Sequence, residues 1–358
     1  MGGCLILPTC SPLLPCYLSL RESDFLLVNR TEIDLVPLLI INPIITLMKR
    51  PSIIPALCLL LLVLSCQKEP PQRLPEEAGV DRSRPCDRTA IQLDDPNLCA
   101  VVPVIVHVLH NNEPIGQGLN VSDPTICSQI YSLRLDFRKQ NSDIGNVEPI
   151  YANRATDASV AFYLAGVVRK AKPTEAPISM GEAQLISPKS DAAGIVTGID
   201  INTALHVWVT DLSSFFGREC PLDSWGQYPH QECQTDGVGV DYLYFGYMGR
   251  VLTHEVGHWM ALHHLGAPAG SNSSSCSTDD GIYDTPNQKP FVVSDCFANP
   301  TYACPPQNEP VMYQNFMQVV TAMTDCKLMF THGQRTKMIT TLSAHRPGFF
   351  KQECPLHD

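Results

Sequence analysis

Residues 254–264, HEVGHWMALHH, have the types and spacing best suited to chemistry in this chain. On a helix, His254 and His258 project from one face, so their imidazoles can bind one zinc ion. Glu255 lies beside the pair, where its carboxylate can reach a water on the metal without being a ligand itself. His264 is off that face, because six residues correspond to about 600° of rotation. It completes a three-histidine site only if the helix ends near Ala261 and the chain turns back.

The alternative interpretation of this segment is a set of histidines on a solvated helix. The preceding residues 238–242, VGVDY, predict a strand or connector. The segment therefore has a suitable place for a helix to begin, which favours the metal site.

Four segments, in this order, resemble the pappalysin family of metzincin metalloproteases. They are DGVGVDYLYFG at 236–246, THEVGHWMALHH at 253–264, DDGIYDTPNQ at 279–288, and NFM at 315–317. The last resembles the methionine turn of metzincins, and the resemblance runs from about residue 101 to residue 350.

The resemblance implies an α+β, two-lobed metzincin catalytic domain. We expect a twisted mixed sheet with backing helices in the N-terminal lobe, a zinc helix at the cleft and a loop-rich, disulfide-bonded C-terminal lobe. It implies a zinc endopeptidase acting on proteins or peptides, most simply as a monomer. His254, His258 and His264 would hold zinc, Glu255 would act as general base, and Met317 would lie beneath the ligands.

Three positions depart from the family pattern. Ala261 replaces a glycine that lets the chain turn sharply, at a cost of about 1 kcal/mol if φ is positive. His263 makes it ambiguous which imidazole reaches the metal, and Val319 replaces a tyrosine found in many relatives. Ala261 and Val319 leave open a zinc-binding surface lipoprotein with a decayed protease site, acting as a binding module. The retained Glu255 favours an active enzyme.

Composition indicates an exported protein. The chain has 358 residues, 44% of them hydrophobic, and a formal charge of −11, which argues against nucleic-acid binding. Fifteen cysteines without a C-x-x-C pair indicate an oxidising compartment.

The N-terminal region resembles a bacterial lipoprotein signal. A basic start at Met48 and an apolar run at 53–64 precede Cys66, the expected lipidation site. We expect residues 1–47 to be an upstream mis-start or an apolar extension, 48–65 a signal peptide, and 66–100 a flexible tether or short pro-like segment. The membrane would be contacted through the lipid anchor alone, at the bacterial outer membrane or cell surface, unless the protein is secreted.

The remaining chain, 101–354, is expected to form the protease domain. Apolar patterns predict strands at 101–109, 160–164 and 205–209. A helix is predicted from Asp123, with Ile126, Ile130, Leu133 and Phe137 on one face, and the last helix near Thr331, where a capping box occurs.

The cysteines are expected to form disulfides. The resemblance implies Cys276–Cys304 and Cys296–Cys326, and Cys220 could pair with Cys233. The sequence does not pair Cys86, Cys99, Cys127 and Cys354. Cys86 follows Arg-Pro, so it is either an inhibitory zinc ligand, as in some relatives, or a disulfide partner of a residue such as Cys99.

Two further sites are predicted with alternatives. Asp279, Asp280, Asp284 and Thr285 form an oxygen-rich loop that resembles the family's calcium loop; the alternative is a solvated acidic loop. Asp325 precedes Cys326, as an acidic residue does in relatives that cut before arginine or lysine. It predicts a preference for Arg or Lys after the scissile bond; the alternative is an exposed aspartate.

Overall fold

The structure of the chain is a computed structural model. It describes residues 86–212, 224–229, 235–245, 250–267, 276–288, 304, 310–318, 326–350 and 354. Within these ranges no helix combines the length and the apolar character needed to cross a bilayer.

Among the described residues, five strands form the main sheet. They are Ala100–His110 (β1), Val160–Ala171 (β3), Leu205–Thr210 (β4), Ser224–Gly226 (β5) and Val238–Asp241 (β6). Their order is β3-β1-β4-β6-β5; the first four are parallel, whereas β5 runs antiparallel along one edge. Ala155–Thr156 (β2) pairs antiparallel with Phe330–Thr331 (β7). The mixed sheet confirms the predicted fold class.

The predicted strands are present, and one is longer than expected. The run at 101–109 is β1, which is nearly all buried, as expected for a parallel strand covered on both faces. The segment predicted at 160–164 continues to Ala171, because its pairing with β1 resumes after a register shift at Val104/Ile105. Half-exposed residues in this extension hide the apolar pattern.

In the described part of the chain, four α-helices accompany the sheet. They are Asp123–Phe137 (α1), Met180–Ile186 (α2), Val251–Trp259 (α3) and His332–His345 (α4). Ser122 caps α1 by accepting from the amide of Thr125, and α1 buries its predicted apolar face in the main core. A capping box of Thr331 and Gln334 begins α4, as predicted. The sequence analysis missed α2, although Ser179 and Glu182 form a capping box there.

The packed part of the chain begins before the predicted boundary at residue 101. Ile91 and Leu98 are buried against Ala161 and Tyr163 of β3. The end of the segment predicted as a tether therefore covers one face of the sheet.

A chain of buried polar groups crosses the sheet between β1 and β4. The Ser187 hydroxyl lies 2.9 Å from Nδ1 of His107, whose Nε2 lies 2.8 Å from Nδ1 of His206. Nε2 of His206 lies 2.7 Å from the carbonyl of Ile201. The Ile201 carbonyl can only accept, so Nε2 of His206 donates to it, Nε2 of His107 donates to Nδ1 of His206, and the Ser187 hydroxyl donates to Nδ1 of His107. Each ring then carries one proton and is neutral. Burial lowers the pKa of both histidines from 6.5 to about 3.

Candidate active site

The reversal of the chain after α3 decides whether a third histidine joins the first two. Ala261 has a φ of 68°, the left-handed region. The amide of Leu262 donates to the carbonyl of Gly257 at 3.0 Å, and that of Ala261 to the carbonyl of His258 at 2.8 Å. This pair of bonds is a Schellman motif, which ends the helix and turns the chain back. Ala261 thus adopts the conformation that usually requires glycine.

The reversal brings His254, His258 and His264 together. Nε2 of His264 lies 3.0 Å from Nε2 of His254 and 3.0 Å from Nε2 of His258. Three nitrogens bound to one tetrahedral zinc ion at 2.0–2.1 Å would be about 3.3 Å apart. Within the described ranges, these three are the only group of metal-ligand side chains that converges on one point.

The protonation of the three rings fits a cation. Nδ1 of His254 lies 2.7 Å from the carbonyl of Phe316, and Nδ1 of His258 lies 2.8 Å from that of Leu262. Carbonyls accept, so each Nδ1 carries the proton and each Nε2 presents a lone pair. One proton on His264 can lie between only one of the two close nitrogen pairs. With its proton on Nδ1, His264 instead presents an Nε2 lone pair to both neighbours, and a cation between the three lone pairs satisfies all of them, so these residues fit zinc.

Burial keeps the three imidazoles neutral. Desolvation lowers the pKa of His258 from 6.5 to about 4 and that of His264 to about 2. It also lowers the pKa of His254 well below its usual value, with a further contribution from the Lys327 charge. Neutral imidazoles are the form that binds metal, so no proton has to be displaced at neutral pH.

Glu255 is buried and is contacted by the edge strand β5. The residue is 6% exposed, and its Oε1 accepts a hydrogen bond of 2.5 Å from the Ser224 hydroxyl. The sequence analysis identified Glu255 but missed Ser224, because the two residues are brought together only by folding. No local motif connects them.

Tyr228 contacts His258 and also lies beside His263, the alternative third ligand. Its hydroxyl is 3.0 Å from Nδ1 of His258, and its ring lies 5.0 Å from that of His263. Burial and the Glu255 charge raise the pKa of Tyr228. His263 stands outside the histidine cluster, so the structure brings together the three histidines of the family pattern.

The methionine turn packs under the cluster. A Cβ added at Gly257 would lie 2.4 Å from Sδ of Met317, so the turn and α3 are in close contact. Asn315 Oδ1 accepts from the Met317 amide at 2.9 Å. The side-chain amides of Asn315 and Gln334 bond reciprocally at 2.8 and 2.9 Å. Gln334, missed as a site residue, therefore ties the turn to the start of α4.

Hydrogen bonds and ion pairs stabilise the start of α3. Thr253 donates to Oδ2 of the buried Asp136 at 2.7 Å, and Nε of Arg250 lies 3.1 Å from Oδ1 of the same carboxylate. Arg250 also pairs with Asp143 at 2.6 Å. These contacts fix the helix turn that carries His254 relative to α1.

The carboxylates of the acidic loop at 279–285 accept hydrogen bonds from different partners. Asp280 bonds to the Thr285 hydroxyl and the Ile282 amide, and burial raises its pKa from 3.8 to about 7. Asp284 accepts from the Thr331 hydroxyl and the Gly333 amide at the start of α4. Asp279 accepts from the amide of Gly281. Because these oxygens do not converge within the described part of the chain, the structure gives no support for the predicted calcium site.

The disulfides decide between the two alternatives for Cys86 and give it a partner other than the suggested Cys99. Cys86 pairs with Cys127, and Cys99 pairs with Cys354, so the suggested Cys86–Cys99 bond is wrong. A bonded sulfur offers no thiolate, so Cys86 is not an inhibitory zinc ligand in this structure. The Cys86 carbonyl instead accepts from the amide of Leu164 on β3, the sheet edge opposite β5.

Other predicted residues are placed only in part. Cys276 bonds to Cys304, as the resemblance implied. Cys326 is also disulfide-bonded. The remaining predicted positions lie outside the described residues: Cys66, Cys220, Cys233, Cys296, Val319 and Asp325.

The chain is similar to a family of proteases and to solved structures of mirolysin. The family model described as pregnancy-associated plasma protein-A matches residues 228–343. Mature mirolysin of Tannerella forsythia, solved with a cleaved peptide, is 29% identical with a TM-score of 0.54, over 70% of this chain and 98% of that chain. A promirolysin mutant of the same organism is 30% identical with a TM-score of 0.55, and the match covers 71% of this chain and 83% of that chain. No curated protein matches.

A second mirolysin structure, in complex with compound 9, is 30% identical with a TM-score of 0.56 and covers 70% of this chain and 94% of its own. The similarity thus extends over nearly all of mirolysin, and the family model spans the histidine motif and the methionine turn. The chain belongs to the pappalysin family of metzincin metalloendopeptidases, whose catalysis uses zinc.

Proposed function

We propose that this protein cleaves peptide bonds with a zinc ion held by His254, His258 and His264. The observation that carries the proposal is the convergence of three Nε2 atoms, two of them on helix α3, which also carries Glu255. When bound, the ion supplies Lewis-acid polarisation of the scissile carbonyl and activation of water.

Residues of the chain transfer the proton and orient the zinc ligands. Glu255 takes the proton from the attacking water and returns it to the leaving amine. The carbonyls of Phe316 and Leu262 hold the rings of His254 and His258 with their Nε2 atoms toward the centre. Met317 packs against Gly257, so the helix and the turn keep a constant separation.

Substitution of Glu255 tests this function. Purified zinc-loaded protein and Glu255→Gln are incubated with a mixed peptide library, and zinc is quantified in both. We expect equal zinc and a loss of cleavage of about 10²- to 10⁴-fold in the variant, the usual contribution of a general base. A wild-type protein that binds zinc but cleaves nothing would instead support the decayed binding module.

We also propose that Arg or Lys is preferred after the scissile bond, through a carboxylate supplied by Asp325. The support is the acidic residue immediately before Cys326, since a buried carboxylate recognises a guanidinium through paired, charge-assisted hydrogen bonds. Product N-termini are identified by mass spectrometry for the wild type and Asp325→Ala. An Arg/Lys enrichment that is absent, or unchanged in the variant, removes Asp325 from the pocket.

We further propose an exported protein anchored by a lipid on Cys66. The disulfides of the described domain support an oxidising compartment. Palmitate labelling and partition into detergent are expected for the wild type and not for Cys66→Ser. A soluble, unlabelled wild type would contradict the anchor.

A further inference from the structure

The edge strand β5 lies directly against the part of α3 that carries the chemistry. A Cβ added at Gly226 would lie 2.5 Å from the Glu255 carbonyl oxygen and 3.0 Å from Cβ of His258. Only glycine permits this approach. Side chains alternate along a strand, so Ser224 shares the face of Gly226, whereas Trp225 packs on the other side against the cluster around Leu109 and Trp208.

Ser224 uses this position to bind the carboxylate of Glu255. The distance from Oγ to Oε1 is 2.5 Å, in the range of charge-assisted hydrogen bonds from a hydroxyl to a carboxylate. The hydroxyl has one proton, and the carboxylate can only accept when ionised, so Ser224 is the donor. Glu255 itself is 6% exposed, so the bond is protected from competition by water.

We infer that Ser224 is a positioning residue for Glu255 in the proposed peptidase reaction. A glutamate has three rotatable side-chain bonds, and the bond from β5 restricts them. The general base is thus already oriented before substrate binds, so the loss of the Ser224 hydroxyl lowers kcat more than it changes KM. This inference rests on the proposed role of Glu255.

A purely structural role for Ser224 makes a different prediction. If the serine only satisfied a buried carboxylate, its removal would lower the stability and leave the kcat of the folded protein unchanged. The chain offers a matched control in Ser179, whose hydroxyl donates to Oε2 of Glu182 at 2.7 Å in the exposed capping box of α2. The Ser179→Ala variant removes the same type of bond outside the site.

The experiment compares Ser224→Ala, Ser224→Thr and Ser179→Ala in the zinc-loaded full chain. We expect kcat to fall on the order of tenfold in Ser224→Ala, the effect of losing one hydrogen bond to a charged group. KM and the zinc content should stay close to wild type. Ser224→Thr, which retains the hydroxyl, should recover most of the kcat, and Ser179→Ala should keep wild-type kcat.

A second measurement, on metal-free protein, tests the contact without activity. Urea midpoints are compared for Ser224→Ala in the wild-type and Glu255→Ala backgrounds. The serine substitution should shift the midpoint in the first background and much less in the second, because its partner is already absent. Equal shifts would overturn the contact.

The kinetic outcomes separate this inference from the proposed function. Cleavage by the wild type with undiminished kcat in Ser224→Ala, or with no recovery in Ser224→Thr, overturns the inference and leaves the function intact. A zinc-loaded wild type that cleaves no peptide overturns both.

Discussion

Replacement of Ala261 by glycine should stabilise the protein, because Ala261 holds the left-handed position of the turn after α3. Its φ of 68° lets Leu262 and Ala261 close the Schellman bonds that bring His264 to the site. A left-handed conformation costs a non-glycine residue about 1–2 kcal/mol. Glycine removes that cost, but it also increases the conformational entropy of the unfolded chain, which lowers the stability by about 0.4–1 kcal/mol.

The expected net effect of Ala261→Gly is a gain of about 0.8 kcal/mol in the free energy of unfolding, the difference between the midpoints of these two ranges. For a domain of this size that corresponds to a rise of about 1–4 °C in Tm. Urea and thermal unfolding of the metal-free protein, with disulfides intact, measure it. The control is Ala344→Gly on the exposed face of α4, where glycine should destabilise by up to about 1 kcal/mol. A loss of stability in Ala261→Gly similar to the control would refute the argument.

Further predictions concern ligand choice, acid stability and the methionine turn. His254→Ala, His258→Ala and His264→Ala should each lose most bound zinc, measured by metal analysis after dialysis. His263→Ala should retain it. Zinc lost in His263→Ala and retained in His264→Ala would make His263 the third ligand. Stability should fall as the pH drops from about 6.5 toward 3, because the unfolded chain binds protons that folded His107 and His206, with pKa values of about 3, do not. His107→Gln should reduce the slope of unfolding free energy against pH by about 1.4 kcal/mol per unit, and an unchanged slope would show that His107 does not contribute. Gln334→Leu removes the oxygen that accepts from the Asn315 side-chain amide and from the Thr331 backbone amide. We expect the free energy of unfolding in urea to fall by about 2–4 kcal/mol and zinc to be retained less well. Wild-type values for both would contradict the role of Gln334.

The spacing of residues along the sequence predicted much of the site. His254, Glu255 and His258 share one helix, so their relative positions follow from helical geometry once the segment is known to be helical. The helix start at Asp123 and the capping box at Thr331 were predicted for the same reason, since a cap involves residues only a few positions apart. The need for a reversal near Ala261 also followed from the angular position of His264.

Tertiary structure decided the contacts between distant segments. Ser224 reaches Glu255 only because β5 joins the sheet antiparallel at the edge beside α3. Gln334 meets Asn315 across the methionine turn. These contacts have no periodicity or spacing in the sequence, because they depend on how separate elements pack.

The cysteines show the same division between sequence and fold. Their number led us to expect an oxidising compartment. The partners of Cys86 and Cys99 required the fold, because Cys127 lies on α1 and Cys354 lies 255 residues along the chain from Cys99. A disulfide forms between residues whose Cα atoms lie within about 7 Å, and that proximity is a property of the folded chain.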